Sequence, residues 1–93
     1  NLSKKKITFK ATVDLRYLYG HDDFVLRYLE NTLQLRLIAR GHALKIIGET
    51  RQVEAAQEVF NDLLTLLEKK GRISQKDLET AVQIVSVYSE PSG

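Results

Sequence analysis

Leu35-Arg36-Leu37-Ile38-Ala39-Arg40-Gly41-His42-Ala43-Leu44-Lys45-Ile46-Ile47 is the stretch on which the fold turns. Two short runs, Leu35 to Arg40 and Ala43 to Ile47, flank Gly41-His42, the pattern of a tight two-residue hairpin. In the first run Leu35, Leu37 and Ala39 share one side, and Arg36, Ile38 and Arg40 the other. In the second, Leu44 and Ile46 oppose Lys45 and Ile47. One face of the hairpin is therefore core, and the other is basic with apolar islands.

Upstream, Ile7, Phe9, Ala11 and Val13 alternate with Lys6, Thr8, Lys10 and Thr12, which predicts a half-buried strand over 7–13. Asp14 to Gly20 has room for one helical turn that would set Leu15 and Leu18 on the core. Asp22 or Asp23 is placed to cap a helix of about three turns, whose apolar stripe is Val25, Leu26, Leu29 and Leu33. Downstream of Gly48, Thr50 is placed to cap a long helix with Val53, Ala56, Phe60, Leu63, Leu64 and Leu67 as its buried stripe. Lys69 and Lys70 suit the last turn of that helix, and Gly71 suits a left-handed stop. Ser74-Gln75-Lys76-Asp77 has capping-box spacing and opens a final helix that buries Leu78, Ala81, Val82 and Val85. Three strands and one-sided helices imply an α+β two-layer sandwich, a three-stranded sheet with helices on one face, the other face open, and a C-terminal helix.

Composition narrows the function. The 93 residues and 43% hydrophobic content suit one core, so residues 1–88 read as a single domain. Residues 89–93, Ser89-Glu90-Pro91-Ser92-Gly93, read as the start of a linker, and the absence of an initiating Met suggests a piece of a longer chain. With no Cys there are no disulfides, thiolate metal sites or cysteine nucleophiles, a composition that suits the cytoplasm. No apolar run is long enough for a membrane span or a signal peptide. His21 and His42 stand alone, without ligands at metal spacing, and no Ser-His-Asp arrangement emerges, so neither a metal site nor a catalytic one is expected. A net charge of +2 is far from that of a dedicated nucleic-acid binder, so an electrostatic site must come from clustering.

The Lys6-Ile7-Thr8-Phe9 strand, the Leu18-Tyr19-Gly20-His21-Asp22-Asp23 turn, the Ile38-Ala39-Arg40-Gly41-His42 hairpin, the Lys45-Ile46-Ile47-Gly48-Glu49 strand end and the Ile73-Ser74-Gln75-Lys76-Asp77-Leu78 helix start carry a resemblance. Together they look like the N-terminal KH-like domain of PhoH-family proteins, bacterial and cytoplasmic proteins named for phosphate starvation. The resemblance implies a P-loop ATPase domain downstream, with ATP and magnesium as its cofactors and this domain as its accessory. No Gly-x-x-x-x-Gly-Lys-Ser/Thr pattern occurs in the present sequence, so no cofactor is expected here.

In KH domains a Gly-x-x-Gly loop clamps the nucleic-acid backbone. The corresponding residues are Gly20-His21-Asp22-Asp23, which keep the first Gly and replace the second with a carboxylate that would repel phosphate. The resemblance places a groove between this loop, the helix after it and the Leu35–Arg40 strand, making Gly20, His21, Arg27, Arg36, Ile38 and Arg40 candidate nucleic-acid contacts, with Lys45 beside them. Alternation sets Lys6, Lys10, Arg36, Arg40 and Lys45 on the open sheet face, where single-stranded RNA is the expected partner. Tyr17, Tyr19 and Tyr28 surround the glycine loop, placed to stack bases or to roof the core. The rival reading is a degenerate KH-like domain that binds no nucleic acid and packs on its own ATPase domain or forms a homo-oligomer.

Overall fold

A computed structural model describes residues 1–89, with side chains through residue 86. The chain runs β1 (Leu2–Thr8), α1 (Leu15–Tyr19), a 3-10 turn (His21–Asp23), α2 (Phe24–Leu33), β2 (Arg36–Arg40), β3 (Ala43–Glu49), α3 (Thr50–Lys70) and α4 (Gln75–Ser89). The three strands form one antiparallel sheet in the order β1-β3-β2, so the hairpin's second strand is central and the N-terminal strand closes its free side. This is the expected α+β arrangement, a three-stranded sheet with helices and a C-terminal helix. The last four residues of the segment read as a linker lie outside the described residues, while Ser89 still belongs to α4.

Hydrophobic burial fixes the layer arrangement. Leu44 and Ile46 on β3 are fully buried, as are Val53, Ala56, Val59, Phe60 and Leu63 on α3, which lies across the sheet. α2 adds Val25, Leu26, Leu29 and Leu33, and α4 packs on α3 through Leu78, Ala81, Val82 and Val85. Burying one such aliphatic side chain contributes roughly 1.5–3 kcal/mol, so the inward row of β3 sets the register of the sheet: a one-residue slip would exchange it for Lys45 and Ile47.

The first strand is displaced from its expected place. Alternation predicts residues 7–13, but Leu2–Thr8 pairs with β3, from Leu2 opposite Glu49 to Thr8 opposite Ala43. β3 begins at Ala43, so residues after Thr8 run past the end of the sheet and have no ladder to join. Phe9 keeps a backbone bond to the hairpin, its N–H donating to the His42 carbonyl at 2.8 Å, and is buried edge-on to Tyr19. Lys10 and Thr12, assigned to the sheet by alternation, lie in the turns that follow.

Helix ends show which capping signals acted. Ser74 Oγ accepts from the Asp77 N–H at 3.0 Å, and Asp77 Oδ2 accepts from the Ser74 N–H at 3.1 Å, a complete reciprocal box. Gly71 closes α3 in the left-handed conformation, its N–H donating to the Leu67 carbonyl. Thr50 is no cap: it is the first residue of α3, and its hydroxyl meets Ser3 Oγ at 2.6 Å and the Asn1 carbonyl at 3.2 Å. It fastens the helix start to the first strand instead, because the chain passes from β3 into α3 with no loop between.

Candidate nucleic-acid interface

Cross-strand register defines the uncovered face residue by residue. Lys4 lies opposite Ile47, which lies opposite Arg36; Lys6 opposite Lys45, opposite Ile38; Thr8 opposite Ala43, opposite Arg40. Lys4, Lys6, Lys45, Arg36 and Arg40 are all exposed, and Ile38, Ala43 and Ile47 are half-buried between them. Strand spacing of about 4.8 Å sets Lys4 and Arg36 about 10 Å apart, with successive rows about 7 Å from one another. Alternation thus located Lys6, Arg36, Arg40 and Lys45 on this face; it missed Lys4, which belongs there, and included Lys10, which does not.

The cations are not neutralised by neighbours. Among the described residues the ion pairs join Asn1 to Glu49, Arg16 to Asp14 and Lys70 to Asp77, with a His21–Asp22 contact that is an ion pair only when the imidazole is protonated, and none involves the five sheet cations. Glu49, the one carboxylate among the outward strand residues, is at the far end of the face and 2.7 Å from the Asn1 amino nitrogen. Lys6 and Lys45 are direct cross-strand partners, with Cβ atoms about 5 Å apart, an arrangement of like charges that destabilises a sheet. No outward strand residue from Leu2 to Glu49 carries an aromatic ring.

The glycine turn is built differently from its sequence reading. Gly20 has φ 80° and ψ 172°, a region open essentially to Gly alone, and a Cβ there would overlap the Phe24 ring. The chain then turns through Asp22 and Asp23, both left-handed at φ 54° and 55°. Asp23 stands at the N-cap position of α2 but makes no capping hydrogen bond, so the expected cap is absent. A cap needs extended backbone to bring its oxygen over the next amides, and a left-handed residue carries it elsewhere. Asp22 instead lies 3.3 Å from His21 Nε2, and Asp23 reinforces the burial that pushes the Tyr19 phenol up from its usual pKa.

The candidate groove residues do not converge on one concavity. Gly20 and His21 border a hollow of about 620 Å³ with Arg16, Tyr17, Asp22, Asp23, Phe24, Arg72 and Ile73, and none of the sheet cations reaches it. Arg16 there is held bidentately by Asp14, which keeps the Asp14 carboxyl below its usual pKa. Arg27 is exposed on α2. Between α2 and β2, Glu30 Oε2 accepts from the Leu37 N–H at 2.9 Å, taking an outward donor of an edge strand. Nothing in the Leu29-Glu30-Asn31 context signals this contact, which depends on how α2 leans on the sheet. Tyr19 is buried and cannot stack a base, Tyr28 is half-buried, and Tyr17 is exposed beneath the Arg16 guanidinium.

A second hollow, about 710 Å³, lies where β1 ends against α3, lined by Ile7, Phe9, Lys10, Val13, Tyr17 and Leu64 among others. His42 stands near the hairpin turn, Nε2 3.2 Å from the Val13 carbonyl, and no metal-holding cluster of His, Asp or Glu occurs among the described residues. No helix among them is long and apolar enough to cross a membrane.

Comparison with known proteins gives one direction. Over 67 residues, 72% of this chain, the sequence is 30% identical to the PhoH-like protein of Bacillus subtilis (strain 168). The match spans 21% of that protein's length, about a fifth. No family model matches the chain, and no solved structure matches it.

Proposed function

We propose that this domain is an accessory RNA-binding module that holds the sugar-phosphate backbone on its uncovered sheet face, in the service of a P-loop ATPase within a PhoH-like protein. The similarity to the Bacillus protein supports the setting. Five unpaired cations on one face support the chemistry.

The observation that carries the reading is Lys45. Lysines on sheet edges discourage strand-to-strand aggregation, which accounts for Lys4 and Lys6 on β1 as readily as RNA does. β3 is the central strand and has no free edge, yet Lys45 stands on it directly opposite Lys6. A like-charge pair with no structural return fits a face whose neutralising charges come from a ligand.

Lys45→Glu tests this in two opposite directions. Placing a carboxylate across from Lys6 should stabilise the sheet by about 0.2–1 kcal/mol in urea unfolding. The same change should weaken binding of a fluorescent RNA hairpin with a single-stranded tail by about tenfold, and wild-type binding should fall with salt at a log–log slope of about −3 to −4. A wild-type chain that ignores the hairpin at low salt, or a variant that binds as well as wild type, ends the proposal.

A further inference from the structure

Resting on that reading, we infer that the open face takes paired RNA in preference to single strands. The inference comes from what accompanies the cations. A duplex presents one phosphate charge per about 1.7 Å of axis and a single strand one per about 3.4 Å, so a surface that sees only charge binds the duplex more tightly. Proteins reverse that order by stacking unpaired bases on aromatic rings or by hydrogen-bonding base edges.

Near its cations this domain offers little of either: only the exposed Arg36 and Arg40 guanidinium groups could stack on a base or bond to its edge. The outward strand residues include no ring, and the apolar ones are the aliphatic Leu2, Ile38, Ala43 and Ile47. The edge of β2, flanked by exposed Arg36 and Arg40, is where a base could reach backbone donors, but the Leu37 N–H is already bonded to Glu30. That carboxylate also repels a strand laid along the edge. The Gly20 turn, the other place for a strand to enter, presents Asp22 and Asp23, both exposed.

Layout points the same way. Lys4 on β1 and Arg36 on β2 are separated by the full width of the sheet, about 10 Å, with Lys45 between the outer strands on β3. Cations on all three strands can meet two phosphate rows at once across the shallow minor groove of an A-form helix, whereas a single strand supplies one row.

The test is fluorescence anisotropy with the 93-residue chain, comparing an RNA duplex of about 16 base pairs with an unstructured single strand of equal length, at about 50 mM salt. The duplex should bind at least about fivefold more tightly, as its doubled charge density requires. Glu30→Ala, which frees the Leu37 N–H and removes the adjacent charge, should improve single-strand binding more than duplex binding and so narrow the preference. Equal or tighter binding of the single strand by the wild-type chain overturns the inference and leaves the RNA-binding reading standing. Binding of neither RNA overturns both, and an unchanged preference in Glu30→Ala removes Glu30 from the explanation.

Discussion

The sequence offers acidic residues at the starts of both α2 and α4, and only the turn before α4 is a cap. At α4, Ser74 and Asp77 exchange side-chain and backbone hydrogen bonds, and Lys70 Nζ adds a contact of 2.8 Å to the Asp77 carboxylate. At α2, Asp22 and Asp23 occupy equivalent ground yet make no bond to the helix amides. Ser74 and Asp23 are both good capping residue types; the backbone entering them differs. Gly20 brings the chain in at φ 80°, ψ 172°, and the turn that follows is left-handed twice over. Carboxylates spent on a cap are neutralised locally, whereas those at the glycine turn face solvent and add negative charge where a KH-like loop would approach phosphate. On the reading proposed above, the contrast favours the sheet over the loop as the place where RNA would be held.

The strongest way to break this contrast is Gly20→Ala. If Gly20 imposes the left-handed turn, the variant must hold Ala in a region reserved for Gly and displace the Phe24 ring, lowering stability by roughly 1–3 kcal/mol in urea unfolding. RNA affinity of the folded protein should stay within about twofold of wild type, because no sheet cation moves. A stability loss under about 0.5 kcal/mol would mean that the turn is not set by Gly20.

The capped turn supplies a smaller, complementary effect. Ser74→Ala should lower stability by about 1 kcal/mol in urea unfolding, the usual worth of an N-cap. Asp77 adds a pH signature: its carboxyl is held at about 2 against an ordinary 3.8, chiefly by the Lys70 hydrogen bond and then by the Ser74 N–H. A carboxyl depressed on folding contributes stability that is complete above about pH 4 and is lost as pH falls through about 2. Acid titration of stability should therefore be shallower over that window in Asp77→Asn than in wild type. A parallel slope in the two proteins would show that Asp77 gains nothing from its partners.

Alternation and helical periodicity made most of the fold legible because they report which side of an element is buried. Leu44 against Lys45 read correctly for that reason, and with it the basic face; on the edge strand β2 the contrast is weaker, Leu37 packing on the core while Ala39, read as core-facing, is exposed. The misreadings share a cause too. Lys6 to Val13 alternates well, but whether a strand forms depends on the partner strand beside it, and β3, antiparallel to it, begins only at Ala43, opposite Thr8. Asp23 is a good cap by type, but capping depends on backbone angles set by Gly20. The Glu30 contact with Leu37 crosses from helix to strand edge and leaves no local trace. Composition and spacing describe an element's own preferences; neighbours decide where it stops and what its polar groups meet.

The smallest expected effect is also the sharpest discriminator between loop and sheet. Asp23→Gly restores glycine at both ends of the Gly20-His21-Asp22-Asp23 turn and places Gly at a left-handed position it occupies without strain, so stability should change by no more than about 1 kcal/mol. If RNA lies on the sheet face, the variant removes only a distant, solvent-screened charge, and affinity should rise less than about threefold. If the turn is the true clamp, disabled by a carboxylate where the backbone needs close approach, the same substitution should strengthen RNA binding more than about tenfold and make it insensitive to Lys45→Glu. Anisotropy titrations of Asp23→Gly alone and combined with Lys45→Glu separate the two, since the double variant keeps the Lys45→Glu defect only when the cations of the sheet are what the RNA meets.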